Sequence, residues 1–239
     1  MDKRAYIRDE FSKIQIELSE KQAEQFEQYY EMLIAKNEVM NLTAITEFEE
    51  VVQKHFIDSV MIKEVREPSD NEKWIDVGTG AGFPGIPLKI VYPQLQVTLL
   101  DSLNKRVKFL QEVVDALGLE QVEALHGRAE EYAKKAEYRE QYDCCVSRAV
   151  ANLASLSEYC LPFVKVGGAF VPYKSGKIQE EMEAAGKAVE ILGGRIGQRK
   201  KFMLPGSDMY RCLLYIEKVK ATAKKYPRKA GMPTKEPLH

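Results

Sequence analysis

"WIDVGTGAGFPG", residues 74–85, sets four glycines, a proline and a single acid behind a short apolar run. Glycine tolerates positive φ and admits a ligand close to the main chain. The turn after "WIDV" is therefore expected to lie against a bound molecule at the carboxyl end of a strand. A tight strand-to-helix turn with no ligand is the alternative, although so many glycines cost backbone entropy that turning alone does not require. The order Asp76-x-Gly78-x-Gly80-x-Gly82 narrows the ligand. A pyrophosphate wants unpaired helix N–H groups and no anion nearby, whereas Asp76 repels phosphate and attracts an ammonium, directly or through water. S-adenosylmethionine carries an α-ammonium and a sulfonium and no phosphate, so it suits this turn better than a dinucleotide. The same string matches G-x-G-x-x-G from Gly80 to Gly85, a weak signal by itself, and a NAD(P)-dependent oxidoreductase stays open as a rival.

Outward from this turn the chain alternates short β-rich runs with helical ones. "WIDV", "QVTLLD", "VEALH", "YDCCVS" and "GAFVPYK" read as strands, each followed by a helical segment. Five such repeats with buried-looking strands predict a parallel sheet covered by helices on both faces. "RIGQRKKFML" and "MYRCLLYIEKV" follow with only "PGSD" between them, so they form an antiparallel hairpin. A doubly wound sheet closed by such a hairpin points to the seven-stranded, class I (Rossmann-like) S-adenosylmethionine-dependent methyltransferase variant of the α/β fold.

Before the turn lies a different region. Ser19 with Gln22 makes a capping-box opening, followed by Ala23, Phe26, Tyr30, Leu33 and Ile34 at helical spacing. Thr46 with Glu49 repeats the signal ahead of Val51, Val52 and Phe56. Residues 1–72 are expected to form a helical cap, joined through "REPSDNEK" to a methyltransferase domain at 73–239 that ends in a basic tail. Charge follows the same division: 9 Lys/Arg against 17 Asp/Glu in residues 1–72, and 12 against 4 in residues 190–239, within a net charge of -1. The basic end suggests a polyanionic partner, against the plainer reading of a solvated face. No apolar run reaches the roughly 18 residues of a membrane span, and the opening residues lack the apolar block of a signal peptide, so a cytoplasmic protein without a membrane partner is expected. Cys144, Cys145, Cys160 and Cys212 show no metal-ligand spacing and read as buried free thiols; no metal is expected.

Further site residues follow from strand ends. Asp101 ends the second strand, 23 residues beyond Gly78, where a carboxylate accepts both ribose hydroxyls; a helix N-cap is its alternative role. Ala129 and Glu130 follow the third strand, where an adenine edge would lie, and Ser147 and Arg148 emerge at the rim after the fourth. Arg148 pairing only with a surface acid is the competing reading. Tyr173, at the end of the fifth strand, is placed either to stack on a base or to pack in the core.

With these residues placed, the chain closely resembles the bacterial RsmG (GidB) family, guanine-N7 methyltransferases of 16S ribosomal RNA. The likeness runs through "NEVMNLTAI", "HFIDSV", "DVGTGAGFPGIPLKI", "LLDSLNKRVKFL", "GRAEEY", "SRAVANL" and "YPRKAGMPTKEPL". It implies a cofactor site of Gly78, Phe83, Ala129, Glu130 and Arg148, with Asp101 near the ribose, to which the reading of the turn itself adds Asp76, Gly80 and Gly82. Its substrate would be 16S rRNA or a small-subunit particle. Guanine N7 has an in-plane lone pair and no proton, so no general base is expected and Arg148 would act by positioning. N7 faces the deep major groove of A-form RNA, so the base should lie in a loop or be flipped out. Lys174, Lys177, Arg199, Lys200 and Lys201, with Lys224, Lys225, Arg228 and Lys229 of the tail, would hold phosphates. A non-catalytic RNA-binding module that retains an old cofactor pocket is a second rival.

Overall fold

The computed structural model describes residues 2–148, 151–175 and 178–239. The chain opens with α1 (Lys3–Lys13), capped by the Asp2 carboxylate, and α2 (Glu20–Met40). The expected capping box starts α2: the Gln22 N–H donates to Ser19 Oγ, and Gln22 Oε1 accepts from the Ser19 N–H at 2.9 Å. The second expected box does not form. Thr46 instead accepts a bond from the Tyr30 hydroxyl at its carbonyl, and α3 (Phe48–Val51) begins after Glu47 with no side-chain cap. It continues as a π-helix over Val52–Ile57 into α4 (Asp58–Val60) and a 3-10 turn, Met61–Glu64.

β1 (Lys73–Val77) then leads through the glycine turn to α5 (Gly85–Val91) and β2 (Gln96–Asp101). Next come α6 (Asn104–Ala116), β3 (Val122–His126), α7 (Ala129–Tyr132) and β4 (Tyr142–Ser147). After these come α8 (Leu153–Cys160), β5 (Val164–Ser175), α9 (Gln179–Ile191), β6 (Gly194–Met203), β7 (Tyr210–Lys218) and α10 (Met232–Lys235). Among the described residues the sheet has seven strands in the order β3-β2-β1-β4-β5-β7-β6. The first five run parallel, while β7 is antiparallel to both β5 and β6.

Two apolar clusters flank the sheet. One joins Val97, Val146 and Val171 to Phe109 and Val113 of α6 and to Phe11, Phe26, Leu33 and Phe56 of the N-terminal helices. The other packs Ile75, Cys145 and Phe170 against Leu153 and Leu156 of α8 and Ala188 of α9. The N-terminal helices are thus the cover of one sheet face. Polar ties reinforce the packing: Gln22 Nε2 donates to the Ile90 carbonyl at 2.8 Å and Gln25 Nε2 to that of Leu117 at 2.8 Å. The stretch 66–73 is fastened too, since Arg66 pairs with Glu72, which also accepts from the Trp74 indole. The four cysteines are buried and free.

Candidate active site

The glycine turn is shaped from three sides. The N–H groups of Gly78 and Thr79 donate to the Leu100 carbonyl, and that of Gly80 donates to Asp101 Oδ2 at 2.9 Å. Gly78, Gly80 and Gly82 have φ of 73°, 65° and 110°, the left-handed region that favours glycine. Their roles differ. A Cβ on Gly80 would meet nothing within 4 Å, whereas one on Gly82 would meet Ile86 Cδ1 at 2.5 Å and Tyr29 Oη at 2.7 Å. Gly82 therefore admits the N-terminal helices, whose Tyr29 hydroxyl donates to the Ala81 carbonyl at 2.7 Å.

Asp76 is fully buried. Its Oδ2 accepts from Thr79 Oγ1 at 2.7 Å and from the Gly85 N–H at 2.8 Å, while Oδ1 has no hydrogen-bond partner among the described residues. Burial pushes its carboxyl up to about 7, against the lowering effect of those two bonds. An orphaned buried acceptor costs roughly 1–3 kcal/mol, which an ammonium donor would recover. The same carboxylate occupies the first N–H of α5, which a pyrophosphate would need free, so the geometry disfavours a dinucleotide.

At the carboxyl ends of β1, β2 and β3 lies a cavity of about 240 Å³, lined by Gly78, Ser102, Arg128, Ala129, Glu130 and Tyr159 among others. The expected residues Gly78, Ala129 and Glu130 meet there. Asp101 stands behind them, 3% exposed, with Oδ1 accepting from the Leu103 N–H and Oδ2 holding Gly80; it therefore braces both the turn and the start of α6. Each carboxylate oxygen has a second lone-pair site, so this bracing leaves acceptor capacity. Phe83 is placed differently from the expected cofactor contact. Its ring stacks on His55 with centroids 4.5 Å apart, turned to the N-terminal helices and away from this cavity. Ser102, Arg128 and Tyr159 were not anticipated; Tyr159 reads in sequence as part of an ordinary helix stripe. A larger hollow of about 420 Å³ sits at the opposite end of the sheet, around Lys73, Gln96 and Tyr142, away from the glycine turn.

Arg148 lines a second cavity of about 250 Å³, with Lys54, His55, Asp58, Lys174 and Arg211. The π-helix and the first residue of α4 build its inner wall, presenting the Lys54 carbonyl, the His55 ring and Asp58 to one guanidinium. Arg148 Nη1 donates to the Lys54 carbonyl at 3.2 Å and to Asp58 Oδ2 at 3.0 Å, and Nη2 lies 3.1 Å from His55 Nδ1. A guanidinium has no acceptor, so Nδ1 accepts and the imidazole proton sits on Nε2, which donates to Thr43 Oγ1 at 2.8 Å. Burial, helped by the Arg148 charge, drives the His55 pKa down to about 3, so the ring is neutral with both nitrogens engaged. Asp58 Oδ1 accepts from Arg211 Nε at 2.8 Å. One buried carboxylate thus holds two guanidiniums at the mouth. Arg148 does pair with an acid, but a buried one and not the surface acid of the plainer expectation, and it lines the second cavity and not the first, where a cofactor contact was expected. His55 and Asp58, three residues apart, and Arg211 carry no signal in the sequence that marks them for this site.

The two cavities adjoin. Ser147 Oγ donates to the Val77 carbonyl at 2.7 Å, joining the ends of β4 and β1. Lys174 Nζ, in the second cavity, donates to the carbonyl of Ala151, in the first, at 2.5 Å.

Three expected RNA contacts are corrected. Tyr173 is 5% exposed and its hydroxyl donates to the Ser59 carbonyl at 2.5 Å, so it packs in the core and offers no stacking face. Lys174 is committed to Ala151 and to Glu181 at 2.7 Å. Arg228 grips the fully buried Glu158 with Nε and Nη2 and is no free phosphate ligand. Lys200 and Lys201 are exposed on the edge strand β6 beside Arg199; Lys200 pairs with Glu64 at 3.1 Å, and Arg199 contacts Gln179. Lys224, Lys225 and Lys229 are exposed, and Lys177 lies outside the described residues. Among the described residues, no group of three or more His, Cys, Asp or Glu side chains is arranged to hold a metal ion, and no helix is long and apolar enough to cross a membrane.

The strand order, the reversed β7 and the glycine turn beneath a cavity at the strand ends define a Rossmann-like, class I methyltransferase fold. Solved structures share it: M. jannaschii TYW2 in complex with AdoMet (TM-score 0.55, 14% identity, 74% of this chain and 80% of that one) is one example. A SAM-dependent methyltransferase from Aquifex aeolicus is another (TM-score 0.52, 21% identity, 70% and 92%). The chain belongs to the GidB family, described as rRNA small subunit methyltransferase G, which matches residues 22–205. Relatives named ribosomal RNA small subunit methyltransferase G include one from Lachnoclostridium phytofermentans, 56% identical over 93% of this chain and 92% of its own length. Another, from Alkaliphilus metalliredigens, is 50% identical over the whole of both chains.

Proposed function

We propose that the protein transfers the methyl group of S-adenosylmethionine to N7 of a guanine in small-subunit (16S) ribosomal RNA, acting in the cytoplasm on the RNA or a ribosomal particle. The observation that carries this reading is the pair of adjoining cavities at one end of the sheet. One is lined by Gly78 of the glycine turn, two residues beyond the unsatisfied Asp76 carboxylate, and the other is lined with guanidiniums and a neutral imidazole.

Bound in the first cavity, the cofactor supplies an electrophilic methyl on sulfur. Asp76 Oδ1 would take its ammonium, Asp101 its ribose, and the main chain at Ala129 and Glu130 the adenine edge. Transfer to N7 moves a positive charge from sulfur to base and creates none, so alignment of the reacting atoms contributes more than new charge stabilisation. No proton leaves N7, and the site matches that economy: both His55 nitrogens are occupied and the ring resists protonation. Guanine presents O6 as an acceptor where adenine presents an N6 donor. Arg148 and Arg211, which carry donors only and are held by Asp58, favour guanine at that edge. Arg199, Lys200, Lys201, Lys224, Lys225 and Lys229 supply the positive surface for the flanking phosphates. A target base flipped into the second cavity would place N7 toward the first.

The test is chemical cleavage at N7-methylguanine in 16S rRNA from cells with and without the gene. The reading expects one cleavage band to vanish in the deletion and to return with the wild-type gene; an unchanged pattern sinks the substrate assignment.

A further inference from the structure

The chain after β7 is bound to the outside of the first cavity by its own polar groups. The buried Lys218 amine donates to the Leu161 and Val164 carbonyls, and Arg139 takes the carbonyls of Thr222 and Tyr226 at 2.7 and 2.9 Å. Arg228 follows. Its backbone N–H donates to Glu158 Oε1 at 2.8 Å, and its Nε and Nη2 make a bidentate pair with the same carboxylate at 3.0 and 2.7 Å. Three residues on, Gly231 adopts φ 81° and its N–H donates to Glu130 Oε1 at 2.9 Å. The Pro233 carbonyl accepts from Ser155 Oγ at 2.6 Å, and Thr234 shares a hydrogen bond with the Tyr159 hydroxyl at 2.7 Å.

Glu130 and Tyr159 line the first cavity, and Glu158 precedes Tyr159 on α8. The tail therefore touches the back of two wall residues while Arg228 locks it to Glu158, the neighbour of one of them. Glu158 has no solvent exposure, so its charge needs a partner, and a bidentate guanidinium supplies charge and geometry together. A lysine in its place would keep the charge and lose the fork. Gly231 fits the same purpose. A Cβ there would meet nothing within 4 Å, so what that position demands is the left-handed turn that aims its N–H at Glu130.

We infer that residues 226–234 form a strap that orders the wall of the cofactor cavity, with Arg228 and Gly231 as positioning residues for Glu130 and Tyr159. This rests on the cofactor reading given above. It gives Arg228 a role that its basic neighbourhood conceals: the flanking Lys225 and Lys229 are exposed, while Arg228 faces inward.

The test compares the wild-type protein with Arg228→Lys and with the double variant Arg228→Met/Glu158→Met. The double variant removes both charges together and so avoids stranding a buried carboxylate. S-adenosylhomocysteine binding is measured by calorimetry, and affinity for a 16S rRNA fragment is measured without cofactor. With two wall side chains left to be ordered on binding, the double variant is expected to bind S-adenosylhomocysteine about tenfold more weakly, with RNA affinity unchanged. Arg228→Lys should fall between it and the wild type, and hydrogen exchange at the Gly231 N–H should rise in the same order. A folded double variant with the wild-type Kd for S-adenosylhomocysteine overturns the strap, whatever its melting temperature. Weakened RNA binding with unchanged cofactor binding overturns it in favour of a phosphate contact. Failure of the wild-type protein to bind S-adenosylhomocysteine is a different result, which removes the cofactor reading and the strap's role with it.

Discussion

Asp76 offers the sharpest test of the cofactor assignment, because its protonation and the cofactor's ammonium compete for one carboxylate. Burial lifts its pKa to about 7 even though Thr79 and Gly85 donate to it and Arg148 lies near. An ammonium binds the ionised form, so affinity should climb with pH and level off above 7. If binding requires that form, the ionised fraction sets the Kd, which should weaken about 25-fold between pH 7.5 and pH 5.5. In the ligand-free protein the sign is opposite. A carboxyl whose folded pKa is raised contributes stability below its unfolded value, near 4, and loses it as pH rises through 7, on the order of 4 kcal/mol in all. S-adenosylmethionine should therefore raise Tm more at pH 7.5 than at pH 5.5. Asp76→Asn should flatten both profiles, since the amide keeps acceptors for Thr79 and Gly85 but places no charge at the orphan position. Calorimetric titration across the pH range, paired with melting curves, reads all of this. A wild-type Kd that does not change over these two pH units, or an Asn variant with wild-type affinity at pH 7.5, refutes the pairing of Asp76 with the ammonium.

Three further outcomes follow from the second cavity and the surface. Asp58→Asn weakens two charge-assisted bonds to Arg148 and Arg211 and should cost about 3 kcal/mol of stability in urea unfolding. In single-turnover methyl transfer it should lower the rate more than it weakens cofactor binding. Tyr173→Phe removes one buried hydroxyl bond and should lower stability by about 1 kcal/mol with RNA affinity unchanged; a loss of RNA affinity would reinstate the stacking role. Lys200→Gln with Lys201→Gln should weaken binding to the 16S fragment and reduce the slope of log K against log salt by about 0.7 for each phosphate left without its lysine. Equal slopes for variant and wild type would remove these lysines from the interface.

The strands were the most legible part of this chain. β2, β3 and β4 begin and end where "QVTLLD", "VEALH" and "YDCCVS" do, because each apolar run is closed by a glycine, a charge or a polar turn. α1 was not legible: it buries only Ile7 and Phe11, a seam too sparse to show a helical period. The π-helix was hidden for another reason. Its sequence carries no period of its own, and nothing in it marks His55 and Asp58, three residues apart, as partners of one guanidinium. In β5, Phe170, Val171 and Tyr173 are all buried because both faces of a central strand are covered, and alternation cannot separate a core tyrosine from an exposed one there.

Charged residues show the deeper limit. Sequence displays a charge but not its partner, and the partner decides the role. Arg148 and Arg211 converge on Asp58 from positions 90 and 153 residues away, while Arg228 meets Glu158 across 70. Nothing in their flanking residues tells the three arginines apart. The first two stand at the mouth of a cavity with donors still presented to it, and the third is spent inside the fold. The count of basic residues toward the C-terminal end therefore overstates the surface open to RNA. What remains for phosphates is the group whose side chains are exposed, led by Lys201, Lys224, Lys225 and Lys229. A salt-dependence experiment should respond to these and not to Arg228, because a cation already paired bidentately with a buried carboxylate neutralises no phosphate and so frees none of the RNA's counterions.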